Sequence, residues 1–298
     1  MTDVLPGAIA TPERLRNGTS ARGQRRIARY YDETQVLYSS FWSSSRVHYG
    51  FWEEDTRSHA DAVRNLDRQV LEQLALPHGS RVLDAGCGVG GTSCFLAQEA
   101  DHRVLGITLS EDQVDRATRC AEASGVRPLP EFRIGDYLAT GLTAESVDGV
   151  VAIESACHAE SKEQFVREAF RVLRPGGRLV IADGFLGRAL QPSEEDAYQQ
   201  LLRGYALPHL LPEPAFLDLL RSAGFTDVAS LDRQGAILGS TRRIQVRGAV
   251  GALLAWLPSR LGWMPRNWVH LGLAGLHQRR LFRDGLLAYR LIRATRPR

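Results

Sequence analysis

The segment Val82-Leu83-Asp84-Ala85-Gly86-Cys87-Gly88-Val89-Gly90-Gly91-Thr92 places a carboxylate two positions ahead of a cluster of glycines. Glycines let a backbone turn tightly and let a bound molecule approach without meeting a Cβ atom. Gly86, Gly88 and Gly91 also spell G-x-G-x-x-G, the fingerprint of a dinucleotide loop. Two features argue against a dinucleotide. The Asp84 carboxylate would repel a pyrophosphate, yet it would pair well with an amino-acid ammonium group. The next strand ends Gly106-Ile107-Thr108-Leu109-Ser110, with no acid before Glu111 to take the ribose of a nicotinamide cofactor. A second cluster follows an apolar run: Ile153-Glu154-Ser155-Ala156-Cys157-His158-Ala159-Glu160. Here Glu154 and His158 are candidates for acid–base or orienting work. Cys157 and His158 are neighbours in sequence and need not face each other, so no nucleophilic cysteine is expected. No ligand spacing supports a metal site.

D-x-G-C-G-x-G from Asp84, followed by G-I-T-L-S-x-x-Q from Gly106, resembles class I S-adenosylmethionine-dependent methyltransferases of the sterol, tocopherol and cyclopropane-fatty-acid group. The similarity spans Tyr30 to Phe225. It implies a Rossmann-like α/β fold, with a mostly parallel sheet and an antiparallel closing strand. It also implies S-adenosylmethionine as cofactor, with Asp84, Gly86 and Gly88 in the loop that holds it. In this group a threonine and a glutamine replace the ribose-binding acid, which assigns Thr108 and Gln113. Ile134-Gly135-Asp136-Tyr137 resembles the motif whose aspartate contacts the adenine amino group, so Asp136 takes that role and Tyr137 flanks the ring. His48-Tyr49-Gly50-Phe51-Trp52 resembles the H-Y-G-x-W element, whose tyrosine, here Tyr49, lies over the sulfonium end. The Glu154–His158 stretch resembles the I-E-A-x-x-H-A segment of sterol methyltransferases and puts both residues on the acceptor side. Tyr31 and Trp42 would wall the acceptor, and Tyr31 joins Glu154 and His158 as a catalytic candidate.

The reaction implied is methyl transfer to a carbon or oxygen of a small apolar acceptor of isoprenoid, quinone, sterol-like or polyketide type. Such a displacement asks the protein mainly for alignment and exclusion of water, worth ~7–11 kcal/mol. An oxygen acceptor often needs a base, and a carbon acceptor needs one for its leaving proton. The alternative on the same fold is a cyclase that keeps the cofactor only as structure.

These residues need a scaffold, and hydrophobic periodicity predicts one. Residues 1–24 read as a polar mobile arm and 25–76 as a helical lid that ends in an amphipathic helix, Ser58–Leu76. The methyltransferase domain then fills 77–298. Strands are predicted at 81–85, 103–107, 132–134, 149–153 and 178–182, with helices between them, an order that specifies a parallel sheet covered on both faces. Ser110 and Gln113 fit a capping box at the start of one helix. Cap insertions are expected near 184–211 and 239–284, the latter helical with breaks at Pro258 and Pro265. A helix at 213–223, a strand at 226–231 and a closing strand at 286–294 complete the pattern.

Composition narrows the partners. The 298 residues are 44% hydrophobic and 24% charged, with a formal net charge of +3, ordinary for a globular protein. Lys162 is the single lysine, so nearly all positive charge is arginine. The acids nearly balance it, so a nucleic-acid partner is not expected. The N-terminus lacks a signal-peptide core and no apolar run reaches the ~20 residues of a membrane span. With four scattered cysteines, a reducing cytoplasm is the expected location. The 239–284 segment departs from sterol methyltransferases, and its tryptophans and arginines suit a substrate cap, a homodimer surface or a membrane-surface contact.

Overall fold

The structure, a computed structural model, describes residues 19–41 and 46–298; Trp42 lies outside the described residues, as does most of the expected arm. A seven-stranded sheet of order β3-β2-β1-β4-β5-β7-β6 forms the centre. Its strands are β1 (Arg81–Ala85), β2 (Arg103–Thr108), β3 (Glu131–Ile134), β4 (Val147–Ile153), β5 (Leu173–Leu186), β6 (Thr226–Asp232) and β7 (Leu287–Thr295). The first five run parallel, while β7 lies antiparallel between β5 and β6. This is the expected sheet with its antiparallel closing strand.

Side chains that alternate along the strands feed two separate cores. Val82, Val180 and Ala182 face one core, and Leu83, Leu179 and Ile181 face the other. Against the first face pack α2 (His59–Leu74), α3 (Gly91–Ala100), α4 (Glu111–Ser124), α6 (Glu195–Gly204) and the end of α9 (Arg266–Arg283); against the second pack α5 (Lys162–Val172) and α7 (Glu213–Ser222). The helix α1 (Ala21–Phe41) reaches α9 through Glu33. Its carboxylate accepts from Asn267 Nδ2 at 2.7 Å, and its carbonyl accepts from Trp268 Nε1 at 2.7 Å.

Several boundaries differ from the sequence expectations, each for a local reason. The helix α1 begins at Ala21, inside the stretch read as an arm, because the Ser20 hydroxyl accepts from Gly23 N at 3.1 Å and caps it. The capping box at α4 is only half formed. Ser110 Oγ accepts from Gln113 N at 3.2 Å, but the Gln113 side chain turns to Thr108 instead of reaching back. The helix α8 (Gln234–Arg260) passes through Pro258 rather than breaking there, and only Pro265 acts as a boundary, at the start of α9. Proline lacks the donor for one helical bond and so weakens α8 there, but only Ser259 and Arg260 follow it in the helix. In the hairpin that α8 forms with α9, Gly248 lies against Gly272 and Gly275, so the two backbones come close together.

Candidate active site

All five parallel strands point their carboxyl ends at one cavity of about 560 Å³. This is where an open α/β sheet binds its ligands. The roof comes from α1, the His48–Tyr49 stretch, the segment after α6 and the α8–α9 hairpin. Of the sequence-derived site residues, Tyr31, Tyr49, Asp84, Gly86, Gly88, Thr108, Gln113, Tyr137, Glu154 and His158 all line it. Asp136 is absent from the lining.

The floor is the turn after β1. Gly86 N and Cys87 N both donate to Ile107 O, at 2.9 and 3.0 Å, which binds the turn to β2. Gly86 has φ +90, and a Cβ there would lie 2.5 Å from Ser155 Cβ, so only glycine fits. Asp84 is buried at the end of β1 and accepts from Ser93 Oγ at 2.6 Å. It forms no ion pair among the described residues, and burial, with Asp67 nearby, pushes its pKa up to about 6. Beneath it, Asp67 on α2 accepts from Thr92 Oγ1 at 2.7 Å and from Arg46 Nε at 2.5 Å, with His48 Nε2 3.4 Å away. Burial works against both charges of the Asp67–His48 pair, yet their mutual bonding keeps the His48 pKa raised and the Asp67 pKa lowered.

At the end of β2, Thr108 Oγ1 donates to Gln113 Oε1 at 2.5 Å, leaving Gln113 Nε2 buried without a partner. Tyr137 donates to Ser155 O at 2.7 Å and packs edge-on against Phe165. The Asp136 carboxylate turns to the start of α1 instead, accepting from Thr19 N at 2.5 Å and Gln24 Nε2 at 3.3 Å, and from Leu138 N at 2.9 Å in its own turn.

Glu154 ends β4 with φ +49, a conformation that costs an ordinary residue of order 1–3 kcal/mol and persists only where neighbours fix it. Its backbone N–H donates to Ala182 O at 2.8 Å. Its Oε1 accepts from Tyr49 N and Tyr289 Oη, both at 2.8 Å. Burial pushes its pKa up to about 7. Tyr31 Oη lies 3.0 Å from His158 Nε2. Burial and the nearby Lys162 ammonium push the His158 pKa down to about 3, so the ring is neutral at ordinary pH.

Four contributors were missed by sequence reasoning. Asp183, at the C-terminal part of β5, lines the cavity, accepts from Cys157 N at 2.8 Å and Gly184 N at 2.7 Å, and is pushed up to about 6 by burial. Lys162 donates to the carbonyls of Cys157 (2.8 Å), Ala159 (2.7 Å) and His209 (3.2 Å), tying the loop after β4 to the segment after α6. Burial lowers its pKa to about 8. Its standing as the chain's single lysine was the available signal. Gln278 Oε1, deep in α9, accepts from both Tyr49 Oη and Tyr205 Oη, at 2.5 and 2.7 Å. Tyr289 comes from the closing strand. Nothing in the local sequence marks Gln278 or Tyr289.

A doubly wound sheet closed by an antiparallel strand, with an acid and a glycine turn after β1, defines the class I, Rossmann-like methyltransferase fold. Comparison with known proteins agrees. Residues 83–181 match the methyltransferase domain family. Methyltransferase GfsG of Streptomyces halstedii is 32% identical over 70% of this chain and 77% of its own length. The 24-methylenesterol C-methyltransferase 2 of Oryza sativa subsp. japonica is 35% identical over 59% of this chain, and the match spans 49% of that relative. Among solved structures, the [4+2]-cyclase SpnF superposes with a TM-score of 0.78 at 24% identity, covering 92% of this chain and 96% of that one. The chain belongs to the S-adenosylmethionine-dependent methyltransferases.

The residues present fit that cofactor. A buried carboxylate with no ion pair among the described residues, Asp84, matches an ammonium. The orphaned donor Gln113 Nε2 matches a hydroxyl acceptor. When bound, S-adenosylmethionine supplies an electrophilic methyl group on a sulfonium. Among the described residues no group of His, Cys, Asp and Glu is arranged to hold a metal ion.

Proposed function

We propose that this chain methylates a carbon or oxygen of a small apolar molecule of isoprenoid, quinone, sterol-like or polyketide type, held between the glycine turn and the α8–α9 hairpin. The observation that carries this reading is the lining beyond the cofactor residues. Leu201, Leu207, Leu210, Ile244, Val246 and Leu271 wall that end of the cavity, with Tyr31 and His158 as its paired polar groups. An apolar wall with few convergent polar groups suits a lipophilic ligand oriented at one point.

Asp84, Gly86, Gly88, Thr108, Gln113 and Tyr137 hold the cofactor, and Tyr49 closes over its reacting end. Asp136 acts from outside the cavity by fastening the lid above the adenine end. Neutral His158, with Tyr31 on its Nε2, orients an acceptor hydroxyl. Glu154 positions Tyr49 through its backbone N–H and provides a carboxylate poised near neutrality for a proton leaving carbon. Of residues 25–76, α1 and the His48–Tyr49 stretch serve as lid, while α2 packs on the sheet of the catalytic body that 77–298 forms. Among the described residues no helix is long and apolar enough to cross a membrane. Four free cysteines fit a reducing cytoplasm.

A panel of quinols, prenylated phenols, sterols and macrolide aglycones, assayed for S-adenosylhomocysteine and methylated product together, tests the reading. Equal amounts of both with at least one apolar member are expected. Conversion of a polyene without S-adenosylhomocysteine would instead establish a cyclase, and transfer only to charged or nucleic-acid acceptors would overturn the apolar assignment.

A further inference from the structure

The α8–α9 hairpin presents to solvent what a helical hairpin ordinarily buries. On α8, Val246, Val250, Leu253 and Trp256 recur at spacings of four, three and three, so they share one side of the helix. All four are at least half exposed, Leu253 at 78%. The tip reads Arg260-Leu261-Gly262-Trp263-Met264-Pro265-Arg266, apolar where a connection between helices is normally polar. Trp263 is 77% exposed there, with Leu261 and Met264 exposed beside it. Between Asp232 and Asp284 the chain carries nine arginines and no Asp or Glu. Arg242 and Arg243 fall near the apolar stripe at ~100° per residue, and Arg260 lies 4.6 Å over the Trp256 ring. Exposed tryptophans and leucines rimmed by arginine are the composition that settles at a headgroup boundary.

The patch is continuous with the catalytic cavity. Val246 and Val250 are both exposed and part of its lining, so they stand at its opening. We propose that this face docks on an anionic lipid surface, with Trp256, Leu261 and Trp263 seated in the interfacial layer. The apolar acceptor then passes from the bilayer to the cavity past Val246 and Val250 without crossing water; this rests on the reading of the acceptor as apolar. Two other occupants fit less well. A symmetric second copy would set an acid-free, arginine-rich face against its own image, bringing like charges together. An acidic protein would satisfy the arginines but not the apolar tip, whose exposed Leu261, Trp263 and Met264 need an apolar environment.

The test uses the full-length chain with vesicles of phosphatidylcholine alone or mixed with phosphatidylglycerol, alongside the double variant Leu253→Glu/Trp263→Glu, whose positions lie outside the cavity lining. Wild type is expected to cosediment with the mixed vesicles, to release as salt is raised, and to shift its tryptophan emission to the blue. The double variant should partition roughly tenfold or more weakly, since it loses two apolar anchors and gains two anionic charges. Its affinity for S-adenosylhomocysteine should match wild type, which also reports that it folds. Failure of wild type to bind anionic vesicles overturns the proposal whatever the variant does. Equal partitioning of wild type and a folded variant overturns it as well. A wild-type dimer in sedimentation that the double substitution disperses would assign the face to a second copy instead. Absence of S-adenosylhomocysteine binding in wild type would sink the catalytic reading and leave the vesicle result standing.

Discussion

Asp84 and Glu154 are carboxylates at neighbouring strand ends in one cavity, and their surroundings give them different work. Asp84 has a hydroxyl donor but no ion pair among the described residues, and burial raises its pKa to about 6. Below about pH 6 its proton must leave before it can pair with an ammonium, so cofactor affinity should fall by up to about tenfold per pH unit. Above that value affinity should level off; calorimetry with S-adenosylhomocysteine on both sides of it checks the sign. Glu154 is poised at about 7, whereas His158 at about 3 stays neutral throughout. If Glu154 takes the proton, turnover rises with pH through about 7, and His158 contributes no limb. Glu154→Gln keeps an oxygen able to accept from Tyr49 N and Tyr289 Oη, so it tests the charge alone. Turnover should drop by roughly a hundredfold and lose that limb, with cofactor affinity nearly unchanged. An equal loss of turnover and affinity would place Glu154 in cofactor binding only.

Among the elements, α1 is the one whose attachment accounts for where the Asp136 side chain turns. The first N–H groups of a helix lack internal partners and carry partial positive charge. Asp136 accepts from Thr19 N, and Glu160 accepts from Ser20 N at 3.0 Å, so two carboxylates clamp the start of α1 over the cavity. Asp136→Asn with Glu160→Gln should weaken that clamp by about 1–2 kcal/mol. The expected readout is faster cofactor dissociation in stopped flow and earlier proteolysis near Thr19, and unchanged rates would show that the clamp has no part in retention. The I-G-D-Y motif was legible in the sequence, but not this partner, because the two segments are more than a hundred residues apart. For Gln113, type and position were legible, but a capping residue and a cavity residue look alike until Thr108 is seen to hold its oxygen.

For the whole molecule, the antiparallel closing strand came from the family resemblance, while the strand–helix alternation and the glycine turn made the parallel part of the sheet legible. Those features are local in sequence, with periods of two and 3.6 and a turn that only glycine accommodates. The apolar part of the cavity is assembled from α1, α6, α8 and α9, whose contributions meet only by long-range packing. Gln278 joins Tyr49 and Tyr205 in this way, and Tyr289 reaches Glu154 from the last strand. Single polar residues inside apolar helices or strands carry no sequence signature of such meetings. Under the proposed function, the cavity over Asp84 holds the methyl donor. Titration of wild type and Asp84→Asn with S-adenosylmethionine tests it most directly. Loss of a buried charged partner costs about 2–5 kcal/mol, so affinity should fall by roughly thirtyfold or more while the fold is kept. Equal affinity in the two proteins would contradict the account.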